Sequence, residues 1–515
     1  MDDWSHGYNV SVEYTSNFYR EMAPDWLDHC ARIGGCVPPR REDLAAFRYL
    51  ELGSGQGLGL CLLAAANPRA EFTGVDFLPA HVARAERIAA AAGLANIRFV
   101  QADFADLARD WPGDFGTFDY VTLHGVYSWV SEALRAALVR CLASATHPGS
   151  LVYVSYNTQP GWLSTVPFQH ITRLIEKTKG TTGKPVLGES IALFERLRAG
   201  EAAIFRTLPS LGTQIDTVKG YNTNYLVQEY LNDSWNPMWH SQVARELAGA
   251  GLDHIGSATM AETTLPALLP PPQRDAILAM PAGPLRQDVQ DVTIDQSFRR
   301  DIFCREPQRS DTSYPGSTAE TRLCLLSAPA PGSAVPVGTQ FGEIMVQPLA
   351  HAELVEALSK GPMTIAELTA LPFLRAQGSD NAVQLLLLLI HAGTLAVGAA
   401  RPAPPEISQR LNTVIAREVA NGAPYDHVAA SALGGAFAVT QLDLIFFDCW
   451  SSSDGDADAA TLAGGASDRL ATLGRPVQHE GRALEGAEAR AHLMARATAF
   501  LDHKLPRWRR LGALG

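Results

Sequence analysis

Three glycines at alternate positions in ELGSGQG, Gly53, Gly55 and Gly57, with Glu51 ahead of them and Ser54 between, form the segment best suited to hold a ligand. An apolar run at 47–52 reads as a strand leading into the turn, and the Leu/Ala run LGLCLLAAA reads as a helix leading out. A glycine turn between strand and helix is a candidate nucleotide cradle: without a Cβ the backbone can take positive φ and approach a ligand, and the helix start offers free N–H groups. The spacing narrows the choice. A dinucleotide fingerprint would need Gly or Ala at Leu58 or Leu60, and a phosphate loop would need Lys and then Ser or Thr after the last glycine; the chain has neither. Taken alone, the turn also reads as a simple tight turn.

The elements around the turn give it meaning. Between 47 and 157 the pattern alternates FRYLEL, EFTGVD, NIRFVQAD, FDYVTLHG and SLVYVSYN with three helical runs, which predicts five strands in an α/β, doubly wound, Rossmann-like parallel sheet. Such sheets bind ligands at the carboxyl ends of their strands. Asp76 and Phe77 follow the second strand, where an acid can accept from ribose hydroxyls. Asp103 and Phe104 follow the third, an acid able to accept from an adenine amino group beside a ring able to stack on it. HGVYSW, with His124, Tyr127 and Trp129, follows the fourth, and SYNTQPGW, with Tyr156, Asn157 and Trp162, follows the fifth. Each has a plain alternative, a helix cap for the acids and core packing for the rings, but their recurrence at one end of the sheet favours a site.

Further along, HSQVARELAGAGLDHIGSATM and RRDIFCRE read as a helix and a final antiparallel strand pair, making seven strands. The expected organisation is a helical cap at 1–45, a catalytic domain at 46–308 with an insertion around 163–221, a Pro/Gly/Ser-rich linker at 309–345, a winged-helix-like module at 346–404, and a mainly helical region at 405–515 whose stretch 451–468 reads as a mobile loop. Aromatic residues of the cap, among them Tyr8, Tyr14 and Tyr19, read either as core or as a lid over the ligand. The 515 residues carry a formal charge of −12, and the presumed recognition helix of the winged-helix-like module is nearly uncharged, which disfavours nucleic acid as a partner. Seven scattered Cys, without metal spacing, predict reduced thiols and no zinc. The segment from Ala382, interrupted by Gln384 and His391, is too short and too polar to predict a membrane span. A polar N-terminus without a signal-like apolar stretch places the chain in the cytoplasm by default, and a homodimer stays open.

ExGxGxG at Glu51–Gly57 resembles the first signature of class I S-adenosylmethionine (SAM) methyltransferases. With HGVYSWV, SYNTQPGW and NYLVQEYLNDSWNPMW, the chain is similar to the members of that class that carry a methyltransferase regulatory domain, a bacterial group including the rickettsial outer-membrane-protein lysine methyltransferases. The resemblance implies a SAM site built on Glu51, Gly53, Ser54, Gly55, Gly57, Asp76, Phe77, Asp103, Phe104, His124 and Tyr14. It implies N-methyl transfer to a lysine of a protein, with a small-molecule amine or a non-catalytic SAM-binding scaffold as the alternatives. Gln228 stands where the family favours His, which bears on substrate choice. A protonated amine must lose a proton before it attacks a methyl group, so His124 is a candidate base, and Tyr127, Trp129, Tyr156, Asn157 and Trp162 are candidates to hold the amine. His-Gly-Val-Tyr replaces the Asn/Asp-Pro-Pro-Tyr of base and amide methyltransferases, which disfavours a planar clamp.

Overall fold

The computed structural model describes residues 17–39, 46–221, 223–453 and 455–515; Tyr8 and Tyr14 lie outside them. Seven strands form one sheet: β1 (Arg48–Leu52), β2 (Glu71–Asp76), β3 (Ile97–Gln101), β4 (Phe118–Leu123), β5 (Thr146–Asn157), β6 (Leu252–Ser257) and β7 (Phe298–Arg305). Their order is β3-β2-β1-β4-β5-β7-β6, with only β7 antiparallel to its neighbours. The order reverses between β1 and β4, and both the glycine turn and HGVYSW emerge at that switch point, where a doubly wound sheet opens a crevice.

The helices include α1 (Pro24–Ile33), α2 (Leu58–Ala66), α3 (Pro79–Ala91), α4 (Phe104–Arg109), α5 (Glu132–Ala145), α6 (Val166–Lys179) and α7 (Lys184–Ala199), with further helices through the regulatory and C-terminal regions. Helix α2 is apolar nearly all round, and such a helix must be covered on both sides. Its second cover is the C-terminal region: Ser408 Oγ donates to the Ala65 carbonyl at 3.3 Å, and Asn67 Nδ2 to the Gly434 carbonyl at 2.8 Å. The C-terminal region thus continues the core of the methyltransferase sheet. The insertion packs around its own cluster, including Phe168, Leu187, Phe194, Leu211 and Ile215.

Two stretches differ from the sequence expectation. Residues 309–345 contain the strands Arg322–Leu325, Val335–Thr339 and Gly342–Val346, and the first is the central strand of a small sheet with Met363–Thr364 and Leu395–Val397. Pro, Gly and Ser on either side dilute the pattern, but Leu323, Cys324 and Leu325 are buried. Residues 451–468 are partly helical, with a helix at Ala459–Thr472. Asp458 caps it by accepting from the Thr461 N–H, and Leu462, Ala463 and Ala466 are buried, so capping and burial outweigh the Gly and Ser content. No helix among the described residues is long and apolar enough to cross a membrane.

Candidate active site

All three glycines of the turn have left-handed φ, 84°, 53° and 73° for Gly53, Gly55 and Gly57. A Cβ on Gly53 would lie 2.6 Å from Val126 Cγ2, and one on Gly57 would lie 2.4 Å from Ala85 Cβ. At Gly55 the space is open, and its N–H points to Asp76 Oδ2 at 2.8 Å. The glycines therefore serve three ends: a close approach to the β4 loop, close packing on α3, and an open backbone facing the crevice.

Asp76 ends β2 with its carboxylate held in place. Oδ2 accepts from Gly55 N–H, Oδ1 accepts from the Leu78 N–H at 2.9 Å, and His81 Nδ1 lies 3.2 Å from Oδ1. A carboxylate has about four acceptor positions, so capacity remains for ligand hydroxyls. Asp103 caps α4 through Ala105 N–H and also lines the crevice, so the plain reading and the functional one coexist.

The crevice has two lobes that share Gly53, Gly55 and His124. One, of about 110 Å³, is lined by Asp76, Phe77, Asp103, Phe104, Val126 and Trp129. The other, of about 70 Å³, is lined by Glu51, Ser54, Gly57, Asn17 and Tyr19. Ser54 Oγ is buried there with no hydrogen-bond partner among the described residues. Burial first, and then the charge of Asp76, push the Glu51 carboxyl up to about 8. A cation or a donor in this lobe would favour its charged form.

Tyr19, one of the cap aromatics with core and lid as its two readings, lines the smaller lobe. Its ring stacks on His124 at 3.5 Å between centroids. The strap carrying it is tied down by Arg20, which donates to the Ile390 and His391 carbonyls, by Tyr49 Oη donating to the Met22 carbonyl, and by Trp26 Nε1 donating to the Ala258 carbonyl.

The six candidate catalytic residues separate into distinct environments. His124 lines both lobes, with Nδ1 2.9 Å from Tyr153 Oη, but burial and Arg300 push its pKa down to about 3, too low to take a proton from an amine. Trp129 lies on the lobe with Asp76 and Asp103. Tyr127 is fully buried and donates to Glu246 Oε2 at 2.7 Å. Tyr156 is buried on the opposite face of β5 from Asn157 and donates to Asp301 Oδ2 at 2.6 Å. Asn157 Nδ2 lies 3.5 Å from Glu229 Oε2. Trp162 donates to the Ser297 carbonyl at 2.7 Å and meets Trp235 edge to face. Glu229, which carried no signal in the sequence beyond sitting next to Gln228, is buried, and its carboxyl is pushed up to about 7 by burial, against opposing hydrogen bonds from Tyr225 and Asn157. Arg300 and Tyr19 together line a neighbouring cavity.

The fold agrees with the comparisons. Residues 50–149 match a family described as a methyltransferase domain, and residues 222–305 match one described as a predicted methyltransferase regulatory domain. A demethylmenaquinone methyltransferase of Thermus thermophilus is 33% identical over 167 residues, which cover 30% of this chain and 72% of that protein. An uncharacterized protein of Synechocystis sp. is 28% identical over 529 residues, 99% of each chain. PKMT2 from Rickettsia typhi, solved in complex with AdoHcy, shares the fold with a TM-score of 0.70 at 16% identity, covering 97% of this chain and 99% of that one. The chain belongs to the class I SAM-dependent methyltransferases that carry a methyltransferase regulatory domain. SAM is its methyl donor. The regulatory segment also supplies β6 and β7, the last two strands of the sheet.

Proposed function

We propose that the protein methylates lysine side-chain amines of a protein, with Glu229 as the base. The lobe with Asp76 takes the ribose on that carboxylate and the adenine between Asp103, Phe77, Phe104 and Trp129. The lobe with Glu51, Gly53, Ser54, Gly55 and Gly57 takes the amino-acid end, under Tyr19. The bound donor supplies a methyl group on a positively charged sulfur, already a good leaving group. The protein's own residues must align the acceptor and remove its proton. A carboxyl near 7 is matched to that task at neutral pH. Asn157 orients Glu229, and neutral His124 holds Tyr153 and the Tyr19 ring in register.

The observation that carries this reading is the Asn157–Glu229 pair at the end of β5. Thr158, the next residue, bridges to Met238, and exposed apolar side chains follow both: Leu163 at 53% and Trp239 at 36%. A buried polar pair with an apolar surface nearby suits a lysine presented on another protein, whose aliphatic stem is apolar and whose tip is charged. The whole-chain likeness to PKMT2 of Rickettsia typhi, and the resemblance carried by HGVYSWV and SYNTQPGW, favour the same acceptor.

Incubation with methyl-labelled SAM and a cell lysate, followed by gel and mass spectrometry, tests it. Label should enter protein bands and add mass at lysine. Label confined to a small amine would move the acceptor to a metabolite, and label entering nothing despite tight SAM binding would make the protein a scaffold.

A further inference from the structure

A third cavity, of about 240 Å³, lies between α1 and the regulatory segment and shares no lining residue with either lobe of the crevice. Its wall is mostly polar and deeply buried. Glu262 accepts from Gln296 Nε2 at 2.6 Å and from Ser257 Oγ at 2.8 Å. Arg299 donates to Asp291 Oδ1 at 2.5 Å, to Gln287 Oε1 at 2.8 Å and to both oxygens of Asp301 at 3.0 Å. Asp301, with Arg299 on both oxygens, Tyr156 Oη and His240 Nδ1 around it, is a satisfied internal ion pair and makes a poor metal ligand.

Asp291 is different. It is 1% exposed, lines the cavity, and its Oδ2 has no hydrogen-bond partner among the described residues. Burying an acceptor without a donor costs about 1–3 kcal/mol, more when the group is charged. The lining also carries two carboxyl groups, Glu262 and Asp291, against one guanidinium, Arg299, already shared with Asp301, and one imidazole, His254, whose Nε2 also faces Asp301 at 3.6 Å. The unmet need is for positive charge and N–H donors. Burial holds the Asp291 carboxyl up at about 7, as expected of a carboxylate short of donors.

We propose that this cavity binds a small organic cation, an amine or guanidine metabolite, whose N–H groups donate to Asp291. The site is also placed to influence the acceptor loop. Gln296, in its wall, accepts from Gly161 N–H through its carbonyl, and the neighbouring Ser297 carbonyl accepts from Thr158 N–H and from Trp162 Nε1. Arg299 continues through Asp301 to Tyr156, next to Asn157. An occupant therefore bears on the loop that carries Asn157 and Trp162, which makes it an effector of methyl transfer. The proposal does not depend on the identity of the methyl acceptor.

The test is calorimetry of the full chain with putrescine and with agmatine, each up to about 10 mM, against 1,4-butanediol as the uncharged counterpart. Saturable binding of at least one cation and none of the diol is expected. Asp291→Asn should weaken it by about tenfold or more, through loss of a charge-assisted hydrogen bond. Thr263→Phe, which narrows the cavity without touching the ion pairs, should weaken it as well. Both variants should bind S-adenosylhomocysteine as the parent does, which shows that they are folded. No saturable heat with either cation, equal binding of the diol, or cation affinity unchanged in two folded variants would each overturn the proposal.

Discussion

The two sides of the proposed site, cofactor and acceptor, are built by different means. The proposed cofactor side is more local: the glycine turn, Asp76 and Asp103 each sit at the end of one strand, and the contacts that hold the acids come from two residues further on, Leu78 to Asp76 and Ala105 to Asp103, or from the turn after the neighbouring strand, Gly55 to Asp76. The proposed acceptor side draws on distant segments: Tyr19 from the strap, His124 from the end of β4, Asn157 from β5, Glu229 from the helix Thr223–Tyr230 of the regulatory segment, and Arg300 from β7. A half fixed by backbone geometry can serve one cofactor while the half assembled from distant segments changes acceptor.

The largest expected effect lies in the cofactor half. Asp76→Ala removes the proposed acceptor for ribose hydroxyls and also strands the Gly55 and Leu78 N–H groups that shape the turn. Loss of two hydrogen bonds to a charged group, at about 1.5–3 kcal/mol each, corresponds to roughly a hundredfold weaker SAM binding or more. Near-normal affinity in calorimetry would remove the cofactor assignment, and with it the comparison.

Glu229→Gln should separate the halves. Methyl transfer should fall by about 10²–10⁴-fold while SAM affinity stays within a few-fold of the parent, because the group acts on the acceptor. The parent's kcat/KM should rise with pH through about 7 as the carboxyl becomes a base, and the variant should lose that limb. Stability gives an independent sign. The folded value is raised from 4.5 to about 7, so this group's contribution is complete below about 4.5 and is lost as pH rises through about 7. Denaturant midpoints of Glu229→Gln should therefore fall less between those limits than those of the parent. A variant with normal turnover and weakened SAM binding would place Glu229 in the wrong half.

The same division governs what could be read from the sequence. The strands, the glycine turn and the strand-end positions of both acids were legible because each depends on residues adjacent in sequence: a strand pattern, a positive φ, a cap. The β6–β7 pair was legible for the same reason. Glu229 was not, because nothing in its neighbourhood marks a residue that acts only after the chain has folded back, and Tyr19 was legible only as one of several cap aromatics that could serve as core or lid. Tyr156 shows a subtler failure. The strand β5 does not stop where the motif begins but runs through Asn157, so side chains still alternate. Tyr156 joins Val152 and Val154 in one core cluster, and the opposite face carries Tyr153, whose hydroxyl reaches His124. Asn157 lands on that second face, and one position decides between core and site.

Tyr127 should give the smallest effect, and it tests whether position after a strand suffices to make a site residue. It opens a 3-10 turn, Tyr127–Trp129, that rolls its ring into the cluster with Leu138, Val152 and Phe303. Its hydroxyl meets Glu246, which also receives Arg135 Nε at 3.2 Å and Gln242 Nε2 at 3.3 Å. Tyr127→Phe keeps the ring and leaves Glu246 with two donors, so the loss is one hydrogen bond to a carboxylate that remains paired, about 0.5–1.5 kcal/mol of stability. Turnover and SAM affinity should stay at the parent's values. A large fall in kcat with an unchanged melting temperature would mean that the hydroxyl reaches the acceptor during turnover, and the boundary between the two halves would have to be moved to include it.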